Sequence, residues 1–245
     1  MGAMTISYFE ESPPSPWSGD PVPPQPDEQR PVHEPAFNAP WQAVAVVVLI
    51  VGGYAVQTLF PADAIVEAYA FSPANLTAQR WPTLLTANFL HGNWAHAMMN
   101  GAFALAFSTP LARLFGPKAL GGLLFFAFYI LTGVLGYLLY GLIHWGGHGL
   151  VVGASVAVSG LMGGAARLIG GHGRPGSIFS RAVLGMGGGW LAVNLIIAVV
   201  GGSFLPGTGG AGVAWEAHLT GFLMGVLLIG PFARLARRDH ALPPQ

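Results

Sequence analysis

Six apolar stretches, near residues 41–60, 90–110, 119–143, 151–170, 181–202 and 212–232, constrain this chain more than anything else in it. Each approaches the roughly 20 residues that a helix needs to cross a hydrocarbon core. In lipid, every backbone N–H and C=O requires an internal partner, so stretches of this kind become helices. The composition agrees: of 245 residues only 8% are charged, and 36 are glycine. The expected fold is an all-α membrane protein with six transmembrane helices, the third long and tilted. The chain has no cysteine, which excludes disulfides, thiolate catalysis and cysteine-based metal sites. A formal net charge of zero argues against a nucleic-acid partner.

The ends differ from the middle. Residues 1–40 carry ten prolines, the acids Glu10, Glu11, Asp20, Asp27, Glu28 and Glu34, and one basic residue, Arg30. Too little apolar surface is available there to offset the entropy of folding, so a disordered tail is expected. It lacks the basic start and apolar core of a cleavable signal. The reading is thus a Pro-rich tail over 1–40, a membrane domain over 41–232 and a short basic tail over 233–245.

Basic residues orient the spans. With the N-terminus inside, the inner segments hold Arg30, Arg113, Lys118, Arg167, Arg174, Arg181, Arg234, Arg237 and Arg238, whereas the outer loops hold only Arg80. This bias, with an even number of spans, predicts that both termini are cytoplasmic. Spans two, four and six then all run from outside to inside. Their polar residues lie near their beginnings: His91, His96 and Asn100, then Ser155, then His218. At about 1.5 Å of rise per residue, this set lies within roughly 10 Å of the outer boundary.

A hydroxyl and an imidazole at matched depth are the parts of a nucleophile and its base. Either residue alone is ordinary, since serines line tight helix contacts and polar side chains tie membrane helices together. The glycines give the two helices a reason to meet. His218 shares a face with Gly221 and Gly225, and the fourth span offers Gly160, Gly163 and Gly164. Gly153 and Ala154, just before the serine, leave room for a substrate backbone and expose the first N–H groups of a helix. His96 and Asn100, one turn apart, are helix-to-helix ties or donors to a developing oxyanion; His91 is read as structural. No carboxylate completes a triad: Glu216 points away from His218, and Asp63 and Glu67 lie in the first outer loop. His144 and His148 lack the nearby acids or cysteines of a metal site, so neither metal nor cofactor is expected.

The pattern His-x4-His-x3-Asn at His91, His96 and Asn100, Gly-x-Ser at Gly153–Ser155, and Ala-His-x2-Gly-x3-Gly from Ala217 through His218 and Gly221 to Gly225 resembles the rhomboid intramembrane serine proteases. The likeness covers roughly residues 41–232. It implies a six-helix bundle with a water-filled cavity open to the outer face, and cleavage of single transmembrane segments of other proteins near that face. Carried across, Ser155 is the nucleophile and His218 the general base and acid. His96, Asn100 and the Ser155 backbone N–H form the oxyanion hole. His91, Gly153, Gly221 and Gly225 support the site. Residues 61–86 correspond to a partly embedded loop and 201–211 to a mobile cap. The lipid bilayer and transmembrane substrates are the implied partners, and a bacterial plasma membrane suits the Ala/Gly-rich composition.

Three positions depart from the family's habit. Val156 stands where glycine usually follows the serine, and Ser159 where an aromatic ring commonly supports the histidine. Trp81-Pro82, preceded by Arg80, replaces the usual Trp-Arg pair of the first loop. Val156 and Ser159 motivate the alternative expectation, a catalytically silent relative that binds or escorts membrane clients. A transporter is less favoured: its polar residues belong at the midplane or in repeated halves.

Overall fold

A computed structural model describes residues 39–204 and 214–240 of the chain. The expected Pro-rich tail up to residue 38, residues 205–213 with most of the expected cap 201–211, and residues 241–245 lie outside the described residues; residues 201–204 of that expected cap belong instead to a helix. Among the described residues the fold is all-helical, with one isolated antiparallel bridge between Phe71 and Val151.

Among the described residues six helices have 16 residues or more: α1 (Trp41–Gln57), α5 (Trp94–Phe115), α6 (Ala119–Ile143), α7 (Ser155–Gly170), α8 (Arg181–Phe204) and α9 (Trp215–His240). Three short helices, α2 (Ala62–Tyr69), α3 (Ala74–Thr77) and α4 (Thr83–Thr86), followed by a 3-10 turn at Ala87–Phe89, fill the connection between α1 and α5. By length and composition α6, residues Arg181–Val199 of α8 and residues Trp215–Ala236 of α9 are each able to cross a membrane, and α1 and α7 are apolar but shorter. The 16 residues of α7 span only about 24 Å. In α5, His96, Asn100, Ser108 and Thr109 dilute the apolar run. The helices that fall short of the simplest spanning pattern thus include both that open on His96 and Ser155.

Two expected boundaries move. Span two was expected from residue 90 with His91 on the helix, but α5 starts at Trp94 and His91 precedes it. The cause is local: the Asn93 side chain accepts the His96 backbone N–H at 2.8 Å, an N-cap that sets the first turn. At the other end, α9 continues past residue 232 to His240, through Pro231. Proline is tolerable there because neighbouring groups in a bundle satisfy the carbonyl it frees.

Helix directions follow from the contacts. Val156 and Gly160 of α7 meet Gly221 and Gly225 of α9 in the same order, so the two helices run parallel. His96 of α5 lies against Gly153 just ahead of α7, and Leu111 against Gly164, so α5 is parallel to both. The three helices therefore open at one level. Helix α6 runs the other way, its Gly136, Gly133, Thr132 and Phe128 meeting Val156, Ala157, Gly160 and Gly164 of α7 in turn.

Small residues make these approaches possible. Between lipid-embedded helices there is little hydrophobic drive, so contact is won by van der Waals packing of backbones. A Cβ at Gly225 would collide with the Gly160 carbonyl oxygen, one at Gly221 with the Val156 carbonyl, and one at Gly163 with the Phe222 carbonyl. Arg167 adds a polar tie, its Nη1 donating to the Val226 carbonyl at 2.8 Å and its Nε to the Gly176 carbonyl at 2.9 Å. Farther from the opening ends, Phe115, Phe125, Phe128 and Phe232 form an aromatic core shared by α5, α6 and α9. Helix α8 is the exception, with Leu184, Leu191, Leu195, Ile196 and Val199 exposed on the bundle's outside.

Candidate active site

Ser155 is the first residue of α7, and its position is built by the loop before it. Gly153 has φ +135°, a conformation that L side chains rarely adopt. Its N–H donates to the Ala87 carbonyl at 2.9 Å, and its own carbonyl accepts from the Tyr137 hydroxyl at 2.9 Å. Two residues earlier, Val151 exchanges backbone hydrogen bonds with Phe71 at 2.7 and 3.1 Å. The serine is thus set by α6 on one side and by the connection ahead of α5 on the other.

His218, in the first turn of α9, arrives beside it. Its Nε2 lies 2.8 Å from Ser155 Oγ, across 63 residues of sequence. Both side chains are half-buried. Thr220 anchors this turn by donating to the Gly136 carbonyl at 2.8 Å. The distance is that of a hydroxyl-to-imidazole hydrogen bond.

The remaining expected residues gather nearby. A Cβ added to Gly153 would lie 2.9 Å from His96 Cε1, 3.0 Å from its Nε2 and 3.3 Å from Ser155 Oγ. Gly153 therefore occupies the gap between the His96 ring and the serine, and a larger residue there would have to displace that ring. Asn100 lies one turn beyond His96, buried, with its Nδ2 lacking a protein partner. The opening N–H groups of α7 have no carbonyl one turn earlier in the helix to receive them. His91 is buried edge-on to His96, with ring centroids 5.2 Å apart, and its backbone is held by both ends of the Gln57 amide at 2.9 and 3.0 Å. It buttresses the His96 ring. Glu216 lies 3.9 Å from His144.

The departures from the family's pattern have physical explanations. Val156 is 1% exposed and its Cγ1 turns into the contact between α6 and α9, where Gly136 and Gly221 make room. Ser159 donates its hydroxyl to the Ser155 carbonyl at 2.7 Å, so it offers no support to the imidazole. That support comes from α8. The Trp190 ring lies 5.8 Å from the His218 ring at 32°. In the first loop, Arg80 donates to the carbonyls of Glu67 and Ala68 at 3.0 and 2.7 Å, anchoring α2 to the segment between α3 and α4.

Two residues of the site, Trp190 and Asn194, escaped sequence reasoning. Asn194 of α8 is fully buried, its Oδ1 2.6 Å from His218 Nδ1, and its Nδ2 donates to the Trp190 carbonyl at 2.8 Å. An amide alone in an apolar run is itself a signal, because an unpaired polar group is costly in lipid. The alternation of spans already opposes α8 to α9; what the sequence did not disclose is which neighbour the amide faces. Gly187 meets Phe222 while Trp190 and Asn194 meet His218, so α8 and α9 are antiparallel and a residue late in one faces a residue early in the other.

Fold and site together define a class: a multi-pass helical membrane protein whose parallel helices bring a serine hydroxyl and an imidazole into hydrogen-bond contact. The sequence profile of the Rhomboid domain matches residues 78–234, more than half of the chain, and the chain belongs to the rhomboid family. The matched residues contain every position of the candidate site. Comparison with curated proteins gives no match.

Proposed function

We propose that the protein is an intramembrane serine endopeptidase that uses a Ser155–His218 dyad to cleave transmembrane segments of other proteins near the outer face of the membrane. The observation that carries this reading is the 2.8 Å approach of His218 Nε2 to Ser155 Oγ at the common opening level of α5, α7 and α9. Among the described residues Arg113, Lys118, Arg167, Arg174, Arg181 and Arg234 lie at or beyond the helix ends away from that level, which supports six spans, cytoplasmic termini and an outward-facing site. Under this reading 41–232 is the catalytic domain, flanked by cytoplasmic segments, in a bacterial plasma membrane.

Chemically, Ser155 Oγ attacks the carbonyl carbon of the scissile peptide as His218 Nε2 takes the hydroxyl proton. His96, Asn100 and the Ser155 backbone N–H receive the oxyanion; their value lies in being aimed before the charge develops. The tetrahedral intermediate collapses, the C–N bond breaks, and His218 passes its proton to the leaving amine. Water then hydrolyses the serine ester, with His218 again as base. No cofactor enters these steps.

The test is cleavage of a reporter transmembrane segment in proteoliposomes by the wild type, Ser155→Ala and His218→Ala. Loss of cleavage in both variants is expected, and unchanged cleavage in either overturns the assignment. Labelling of Ser155 by a fluorophosphonate separates this reading from a client-binding, catalytically silent relative, which would remain unlabelled.

A further inference from the structure

We propose that Asn194 is a positioning residue that fixes the tautomer and the ring orientation of His218, a role that rests on the reading of Ser155 and His218 as a catalytic pair. The assignment follows from which atoms can donate. A carbonyl oxygen only accepts, so the Asn194 atom 2.8 Å from the Trp190 carbonyl is the amide nitrogen. The atom 2.6 Å from His218 Nδ1 is then the amide oxygen, which carries no hydrogen. Nδ1 must therefore bear the ring proton. In a neutral imidazole this leaves the lone pair on Nε2, the nitrogen 2.8 Å from Ser155 Oγ.

All three hydrogen bonds consequently point one way. The serine hydroxyl donates to Nε2, Nδ1–H donates to Oδ1, and Nδ2–H donates to the Trp190 carbonyl. The opposite tautomer would place a proton on Nε2 facing the serine and a lone pair on Nδ1 facing an oxygen, leaving the ring unable to accept the serine proton. Asn194 has the burial such a role requires, being 0% exposed. It also acts without charge, which suits a site with no carboxylate partner for the imidazole. Trp190, four residues earlier, supplies both the acceptor that orients the amide and the ring beside His218. One turn of α8 thus provides what Ser159 does not.

The experiment uses the full chain in detergent micelles and three forms: wild type, Asn194→Leu, which keeps the volume without an acceptor, and Asn194→Asp, which keeps an acceptor at Nδ1–H. Selectively ¹⁵N-labelled histidine reports the His218 tautomer directly. Expected are a protonated Nδ1 in the wild type and in Asn194→Asp, and a shift toward protonated Nε2 in Asn194→Leu. In reporter cleavage, Asn194→Leu is expected to lower kcat by about 10-fold or more with KM unchanged, within the roughly 10²–10⁴-fold that a general base contributes in all. Asn194→Asp should recover part of that loss. An unchanged His218 tautomer in Asn194→Leu overturns the proposal, as does a fall in thermal stability with kcat intact, which marks a purely structural tie. Failure of the dyad reading looks different: the wild type would escape fluorophosphonate labelling at Ser155, while the tautomer remains readable without turnover.

Discussion

The Cα of Gly225 faces the backbone carbonyl of Gly160 with no room for a methyl group between them. This contact, repeated one turn earlier between Gly221 and Val156, sets the separation of α7 and α9 and with it the span between Ser155 and His218. Gly225→Ala is expected to destabilise the protein by about 1–3 kcal/mol, the usual cost of overpacking. It should also cut cleavage by about 100-fold, since a 1 Å misplacement of reacting groups costs on that order. Gly188→Ala is the control: a Cβ there meets nothing within 4 Å. It is expected to leave the melting temperature unchanged or raise it, as alanine favours a helix by about 0.5–1 kcal/mol over glycine. Thermal unfolding in detergent and reporter cleavage read both variants.

Gly153→Ala tests the gap between His96 and the serine. The substitution pairs an unfavourable φ of +135° with a methyl group 2.9 Å from the His96 ring. Strain of about 1–3 kcal/mol is expected, with displacement of the imidazole. Cleavage should fall far more than stability does, and a variant that melts normally yet retains full cleavage would contradict the geometry.

His96→Ala and Asn100→Ala remove proposed oxyanion donors. Each is expected to raise the barrier by about 3 kcal/mol, close to a 100-fold loss in kcat, with little change in KM. Fluorophosphonate labelling should slow in parallel, because it passes through a similar charged intermediate. A rise in KM at constant kcat would mean that these side chains bind substrate instead.

Val156→Gly restores the residue that rhomboid proteases usually carry after the serine. Because the Val156 side chain is buried against Gly136 and Gly221, its removal is expected to leave a void and destabilise the protein by roughly 1–3 kcal/mol, with no gain in activity. Increased cleavage together with normal melting would show that the valine crowds the substrate.

The sequence discloses most where a residue contradicts its surroundings. Ser155, His218, His96 and Asn100 stand out because lipid-facing helices should not contain them, and the glycines beside them say which helices touch. Helices α6 to α8 lie close to their apolar runs, whereas α9 continues past its run to His240. The start of α5 was harder to read, because it depends on one side-chain bond, that of Asn93 to the His96 N–H, and not on hydropathy. Asn194 was missed because its significance is relational. The alternation of spans sets its depth, but only packing of α8 against α9 puts its amide opposite His218. Val156 is the converse case: sequence comparison marks it as an intruder, yet its side chain fills a notch that Gly136 opens.

Sixty-three positions separate Ser155 from His218, and the imidazole resides on α9, which follows the serine's helix by two. At translation rates of about 5–20 residues per second, the serine waits roughly 3–13 s in a growing chain before its partner exists. During that interval Ser155 is an unactivated alcohol. If Ser155 and His218 pair as proposed, the order of the helices leaves the serine without its base until α9 has been made.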